Sequence, residues 1–329
     1  MKSSALGRGG LTVGPHAFGA AAVGNLYRAI DDSIAIDSVD AAWESGVRYF
    51  DTAPHYGLGL SERRVGAALC ARPREDLILS TKVGRLLKPV EVHPGERDLD
   101  SGFDVPRDHV RVLDYSREGV LRSIEESLVR LDTDRIDIVF VHDPDDHYAE
   151  ALDGAFPALD DLRSQGVITS FGVGMNQSAM LAEFVRNSDL DVVMVAGRYT
   201  LLEQGALDDL LPVARERNVS VVAAGVFNSG LLARNRPTAG AHYDYAAAPD
   251  AVIARAMSIA EVCERHGATL PQAAAQFPLG HPAVATVCLG ARSRDQVERN
   301  AALFEHEVPA EVWRELADAG LIRADAPTN

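Results

Sequence analysis

The run Phe50-Asp51-Thr52-Ala53-Pro54-His55-Tyr56-Gly57 places a carboxylate where a strand-like segment ends and a phenol five residues later, on a loop punctuated by Pro and Gly. Two further strand-like runs end in the same manner: Leu77–Thr81 leads into Lys82, and Ile136–Val141 leads into His142. Asp, Tyr, Lys and His carried to one end of neighbouring parallel strands would converge. Such a set suits proton transfer coupled to hydride transfer. Tyr56 is the candidate proton donor and acceptor. An unperturbed phenol titrates at about 10, and a nearby ammonium favours the phenolate and lowers that value. Lys82 supplies the ammonium, Asp51 holds it charged and oriented, and His142 donates a hydrogen bond to a substrate oxygen. Lysine choice supports this reading. The only lysines are Lys2, Lys82 and Lys88, and the rest of the 32 basic residues are arginine. A compact charge with a shiftable pKa is kept at a strand end. Each residue taken alone also fits a bland role: a strand terminus, a core ring, or a turn at His142-Asp143-Pro144-Asp145.

Elements that could position these groups alternate along the whole chain. Strand signals fall at 16–20, 47–51, 77–81, 136–141, 170–174, 191–195, 219–224 and 284–289. Helix-period segments fall at 36–45, 61–70, 117–130, 149–165, 178–187, 205–217, 251–266 and 294–304, with Ser61 and Ser293 as expected N-caps. Eight strand–helix units predict an α/β fold of the (β/α)8 TIM-barrel type, organised as one domain over residues 1–329. The alternative is a doubly wound open sheet, but no Gly-x-Gly-x-x-Gly follows the first strand; Phe18–Gly24 imitates it only loosely. Segments 269–279 and 309–320 read as extra C-terminal helices. Two long polar segments, 83–115 and 233–249 (the latter with Tyr243 and Tyr245), follow the third and seventh strands and fall on the active face as candidate lids. The tail 322–329 reads as unstructured.

Composition bounds the partners. A formal net charge of −16 argues against nucleic acid or an anionic membrane surface. No apolar run approaches the roughly 18 residues of a membrane span, and no signal-peptide-like segment follows Met1, so a cytoplasmic protein is expected. Cys70, Cys263 and Cys288 each sit in an apolar stretch without metal-ligand spacing and read as buried thiols. His142 with Asp143, Asp145, Asp146 and His147 looks like a turn, so no metal site is expected.

These motifs resemble the aldo-keto reductase superfamily over nearly the whole chain, from Phe18-Gly19 to Asn300. The resemblance implies a catalytic tetrad of Asp51, Tyr56, Lys82 and His142, with Tyr56, His142 and Asn25 as substrate contacts. It implies NAD or NADP as cofactor. Gly19, Ala20 and Asp51 would lie at its nicotinamide end with Asn176, although the family's Ser-Asn pair is replaced by Gly174-Met175. Tyr199 falls where the family stacks an aromatic ring, and Ala196 where it usually has Gln. Phe227, Asn228, Ser229, Gly230 and Leu231 look like the pyrophosphate loop, while Gly290, Ala291, Arg292, Gln296 and Asn300 look like the adenosine end. Gly/Ser backbone amides and the helix start at Ser293 suit an anion on physical grounds as well. Arg292 and Arg294 could meet a 2′-phosphate. Gln296 stands where many NADP-preferring relatives have Arg, which tilts the expectation toward NAD.

The flanks sharpen the resemblance: His55–Glu62, Asp114-Tyr115-Ser116, His142–Asp145, Gly172–Gln177 and Gly197–Leu202. They resemble a subgroup of L-fucose (D-threo-aldose) 1-dehydrogenases, L-galactose dehydrogenases and pyridoxal 4-dehydrogenase. That implies oxidation of a cyclic hemiacetal carbon to a lactone by a monomer or homodimer, on a small sugar or aldehyde. Pyridoxal oxidation and a broad NADPH-dependent carbonyl reduction are the alternatives. A non-catalytic auxiliary subunit of a membrane channel is the contrasting class, but no added interaction domain or basic tail points to it.

Overall fold

Along each central strand the apolar and small residues alternate in their burial partners, and this period of two closes the sheet. The computed structural model describes residues 3–238, 240–244 and 246–328; Lys2, Tyr245 and Asn329 lie outside them. Eight parallel strands form a closed barrel: β1 (His16–Gly19), β2 (Tyr49–Asp51), β3 (Ile78–Val83), β4 (Ile138–His142), β5 (Ser170–Met175), β6 (Val192–Ala196), β7 (Ser220–Ala224) and β8 (Val284–Gly290). Closure by β8 pairing with β1, Val287 opposite His16, excludes the open doubly wound sheet.

Residues Ala17, Tyr49, Ile78, Ile138, Phe140, Val192, Met194 and Val222 fill the barrel interior as one apolar cluster. The other faces of the strands pack on the helices in a second, larger core. An N-terminal hairpin, Ser4–Leu6 with Leu11–Val13, adds Leu6 and Val13 to the interior cluster. Its short strands gave no clear periodicity in the sequence. Gly172 shows how tightly the strands approach: a Cβ there would lie 1.5 Å from the Val192 carbonyl oxygen, so any side chain would push β5 from β6.

Several expected elements shift. The helix expected from Ser61 starts at Leu60 behind Gly59, whose φ is +80°. Ser61 is therefore inside the helix, and its hydroxyl donates to the Ala20 carbonyl at 2.8 Å. Ser293 does stand at the N-cap position of the helix Arg294–Ala302. The segment 149–165 opens on a short helical turn, Tyr148–Glu150, and passes through a π-helical turn, Ala151–Ala155, into the helix Phe156–Ser164. The segment 205–217 reduces to a 3₁₀ turn and a helix Leu210–Glu216. Both extra C-terminal helices are present, Leu270–Gln276 and Ala310–Asp318.

The 83–115 segment is not a bare loop. Its ends pair as an antiparallel hairpin, Arg85–Pro89 with His109–Leu113. Its middle packs Phe103 and Val105 with Leu87 and Leu58 into a small apolar cluster of its own. Residues 322–328 contain no helix or strand, yet they are seated rather than loose: Ile322 and Ala326 are buried, and the Arg323 amide donates to Gln204 Oε1 at 2.8 Å. Cys263 and Cys288 are buried as expected, whereas Cys70 is exposed because it caps the end of its helix. Among the described residues no helix is long and apolar enough to cross a membrane.

Candidate active site

Strand ends β2, β3 and β4 are adjacent in the sheet, with Asp51 opposite Ser80 and Lys82 opposite Phe140. Period-two alternation therefore turns Asp51, Lys82 and His142 inward at the same end of the barrel. Lys82 Nζ lies 2.7 Å from Asp51 Oδ2 and donates to the Thr52 carbonyl at 2.9 Å. The second carboxylate oxygen, Asp51 Oδ1, accepts from Ser80 Oγ at 2.7 Å. Both charged side chains are buried, at 2% and 3% exposure, so the pair is held by geometry and by the satisfaction of its remaining lone pairs. Gly174 faces the Lys82 stem, with 3.8 Å from its ideal Cβ position to Lys82 Cε, an ordinary contact distance. The Tyr56 ring stands with its centroid 4.8 Å from Lys82 Nζ, and His142 meets it edge-on at 5.7 Å. The four expected groups are thus brought together.

Their electrostatics differ from the sequence expectation in one respect. Burial alone would strip Lys82 of its proton, but Asp51 and Tyr56 outweigh burial and hold the ammonium above the ordinary lysine range. Lys82 does favour the phenolate, as expected, but it does not prevail: the phenol is raised above its ordinary value. Burial is the main cause; Lys82 opposes it, and the Asp51 carboxylate works against Lys82. His142 is pushed well below the ordinary imidazole range by burial and then by the Lys82 charge, so it is neutral near pH 7. A neutral imidazole has one N–H donor and one acceptor nitrogen.

Residues not singled out by the sequence complete the mouth. His55 sits between Phe103, at 5.3 Å between ring centroids, and His142, at 5.4 Å. Burial, reinforced by Arg111, Arg85 and Lys82, lowers the His55 pKa to about 3. Arg111 Nη2 donates to the His55 carbonyl at 2.9 Å while its guanidinium grips buried Asp98. Phe103 and Arg111 come from the 83–115 segment, far from Tyr56 in sequence; no local pattern there signals a role.

Beside this mouth runs a groove of about 910 Å³ lined by Asn176, Ala196, Arg198, residues 227–230 and residues 288–292, with Gln296 and Asn300 at its far end. Asn228 and Ser229 both adopt positive φ, +46° and +58°, and the turn they make is closed on itself: the Asn228, Gly230 and Leu231 amides donate to the Gly225, Phe227 and Asn228 carbonyls at 2.9, 3.0 and 3.2 Å. Asn228 Oδ1 is buried without a hydrogen-bond partner. Gln296 Oε1 accepts from the Arg292 amide at 3.0 Å, and Asn300 Nδ2 donates to the Gly290 carbonyl at 3.3 Å. These residues fit a dinucleotide: a long groove, the unpartnered Asn228 Oδ1 along it, and a guanidinium, Arg292, among its lining residues.

Six expected contacts are corrected. Tyr199 is buried in the core against Phe277 at 5.3 Å, and Arg198 lines the groove in its place. Leu231 is also a core residue, since the tight turn at 227–230 carries its side chain inward. Gly19 and Ala20 do not line the groove. They shape the strand end behind Cys288, and the Ala20 amide donates to the Asp51 carbonyl at 2.8 Å. Asn25, expected as a substrate contact, spends its amide internally. Its Nδ2 donates to the Asp104 carbonyl at 3.2 Å, and its Oδ1 accepts from Arg64 at 2.7 Å. Arg294 is taken by Asp37 and Glu44, which leaves Arg292 as the arginine of that pair facing the groove. Among the described residues no group of three or more His, Cys, Asp or Glu is placed to hold a metal ion.

Comparison with known proteins agrees with this geometry. Residues 17–320 match the Aldo/keto reductase family. The chain is 47% identical over 315 residues to D-threo-aldose 1-dehydrogenase of Pseudomonas sp., covering 95% of this chain and 96% of that one. It is 40% identical over 335 residues to pyridoxal 4-dehydrogenase of Microbacterium luteolum, covering 97% of each. Among solved structures, the holo form of an aldo-keto reductase from Bacillus halodurans superposes with a TM-score of 0.76 at 29% identity, covering 99% of this chain and 98% of that one. The chain belongs to the aldo/keto reductase family, an NAD(P)-dependent oxidoreductase family built on this barrel.

Proposed function

We propose that this aldo/keto reductase is an aldose 1-dehydrogenase, oxidising C1 of a sugar hemiacetal of the L-fucose, L-galactose or D-threo-aldose type to the lactone, in the cytoplasm and with NAD or NADP. The observation that carries the chemistry is the buried Asp51–Lys82 pair at 2.7 Å beneath the Tyr56 ring. The 47% identity to a D-threo-aldose 1-dehydrogenase supports the substrate class. Bound nicotinamide would accept the hydride from C1. The chain's own task is the proton. Tyr56 takes it from the C1 hydroxyl, Lys82 stabilises the phenolate while that transfer occurs, and neutral His142 donates a hydrogen bond that orients the oxygen. General acid–base transfer of this kind contributes roughly 10²–10⁴-fold.

Because the Tyr56 pKa lies above its ordinary value, the base form is scarce at neutrality and grows tenfold per pH unit below that pKa. Oxidation should therefore accelerate through pH 9. Initial rates with NAD+ or NADP+ and a panel of aldoses, read at the reduced-nicotinamide absorbance, test the reading. Tyr56→Phe should abolish turnover while cofactor binding persists. Turnover retained in that variant, or a flat pH profile, would sink it. Pyridoxal oxidation is the second reading, supported by the 40% identity to pyridoxal 4-dehydrogenase. It predicts silence on sugars and turnover of pyridoxal in the same assay. Turnover only in the reductive direction, of simple aldehydes or ketones with NADPH, would favour a broad reductase.

A further inference from the structure

Directly after His142 the chain does something costly. Asp143 takes φ +42°, in the left-handed region that residues other than Gly seldom occupy. Such outliers persist where the surroundings over-determine them, and they cluster at ligand sites. The surroundings here do over-determine it. The Asp143 amide donates to the Gly174 carbonyl at 3.0 Å, and its carbonyl accepts from the Tyr115 hydroxyl at 3.2 Å. Tyr115 also fixes the partner on the other side. Its ring packs against Gly84, where φ is +101° and a Cβ would come within 2.4 Å of the ring, and Gly84 immediately precedes Arg85. Arg85 Nη2 then reaches Asp143 Oδ2 at 3.0 Å.

The resulting pair is neither a surface bridge nor a sealed one. Arg85 is 22% and Asp143 32% exposed. Arg85 Nε is buried without a partner. Asp143 Oδ2 stands 3.5 Å from His142 Nε2, beyond hydrogen-bond range, so it does not consume that nitrogen. Asp143 also acts on the Tyr56 hydroxyl, disfavouring its ionised form. A carboxylate and a guanidinium therefore sit side by side, one residue beyond the group expected to hold the reacting oxygen.

Resting on the aldose reading above, we propose that the Arg85–Asp143 pair recognises the substrate, with the carboxylate accepting and the guanidinium donating hydrogen bonds to hydroxyls on the carbons adjacent to C1. The ligand class is a polyhydroxylated chain. A carbonyl compound without neighbouring hydroxyls leaves the pair unused. Charge-assisted hydrogen bonds of this kind carry discrimination of about 10- to 100-fold each.

The test compares kcat/KM for the best aldose with that for its 2-deoxy and 3-deoxy counterparts, in wild type, Asp143→Asn and Arg85→Lys. Cofactor binding by fluorescence and thermal melting report that each variant is folded. The expected result is that wild type prefers the hydroxylated sugar. Asp143→Asn should shrink that preference about 10- to 100-fold, mostly through KM, and Arg85→Lys, which keeps the charge but loses the fork, should shrink it less. Equal loss on all three sugars, as a purely structural brace would give, overturns the proposal, as does a wild type indifferent to the hydroxyls. A wild type silent on every aldose but active on pyridoxal or simple carbonyls overturns the aldose reading itself, a result distinct from the other two.

Discussion

Asp51→Asn separates what the buried pair does for the fold from what it does for chemistry. The substitution keeps shape and removes one charge 2.7 Å from an ammonium that is 2% exposed. Ser80 Oγ and the Thr52 carbonyl stay in place, but neither carries a charge. Breaking a buried pair by removing one partner costs about 3–5 kcal/mol. In a chain of this length that is a fall in Tm of roughly 4–7 °C. Lys82 can relieve part of the cost by releasing its proton, since burial is the largest influence on it and Asp51 the largest opposing one. Either way, oxidation at pH 8 should drop about 10²–10⁴-fold, the usual worth of a proton-transfer apparatus. The companion is Asp51→Asn with Lys82→Met, which leaves no lone buried charge. It should recover most of the lost Tm and none of the activity, giving a large coupling energy in a double-mutant cycle. Melting curves and initial rates on the four proteins suffice. A single Asn variant that melts within 1 °C of wild type, or a double variant no more stable than the single, would refute the reasoning.

Other outcomes follow from the same coordinates. His16 is stacked on Phe304 at 4.6 Å, neither ring nitrogen has a partner, and burial lowers its pKa to about 4. The unfolded chain, with an ordinary pKa near 6.5, then binds more protons between these values, so the stability contributed by neutral His16 is full above about pH 6.5 and is lost as pH falls toward 4. That amounts to about 2 kcal/mol by pH 5. In urea melts, His16→Phe should lose less stability than wild type between pH 7.5 and pH 5 by about that amount; equal losses would contradict it. At the adenosine end, Arg292→Ala should weaken NADP+ about tenfold or more while changing NAD+ severalfold at most, by fluorescence titration. Equal weakening would remove Arg292 as a 2′-phosphate contact.

The barrel was legible because strand ends and helix periods recur through the whole chain, and the tetrad was legible because its members close three consecutive strands. What stayed hidden depends on direction and distance. Tyr199 and Arg198 are neighbours in sequence, and only the backbone path after β6 decides which faces the groove and which the core. Asn25 looks like a free polar group until Arg64 and Asp104 are brought to it from elsewhere in the chain. The phenol's pKa is set by burial against its charged neighbours, and sequence reveals that Lys82 and Asp51 are present without revealing how completely the site is buried. The hairpin at 85–113 read as loop because Pro, Gly and charged residues fill the stretch between its short strands, and its apolar residues pack locally with Leu58 and Phe103 rather than on the barrel.

That local packing divides the molecule's inheritance. The apparatus for moving a proton is rooted in the strands, whose interior cannot change without disturbing the neighbouring strands. The wall beside the mouth hangs from both edges of a hairpin, and its small core, separate from the two that hold the barrel, is shared with Leu26, Leu58, Leu60 and the Tyr56 ring. A segment of that kind is a cassette with a fixed socket: an engineer reshaping the mouth should move residues 85–113 together with Leu26, Leu58 and Leu60, because the Tyr56 ring rests on the same cluster.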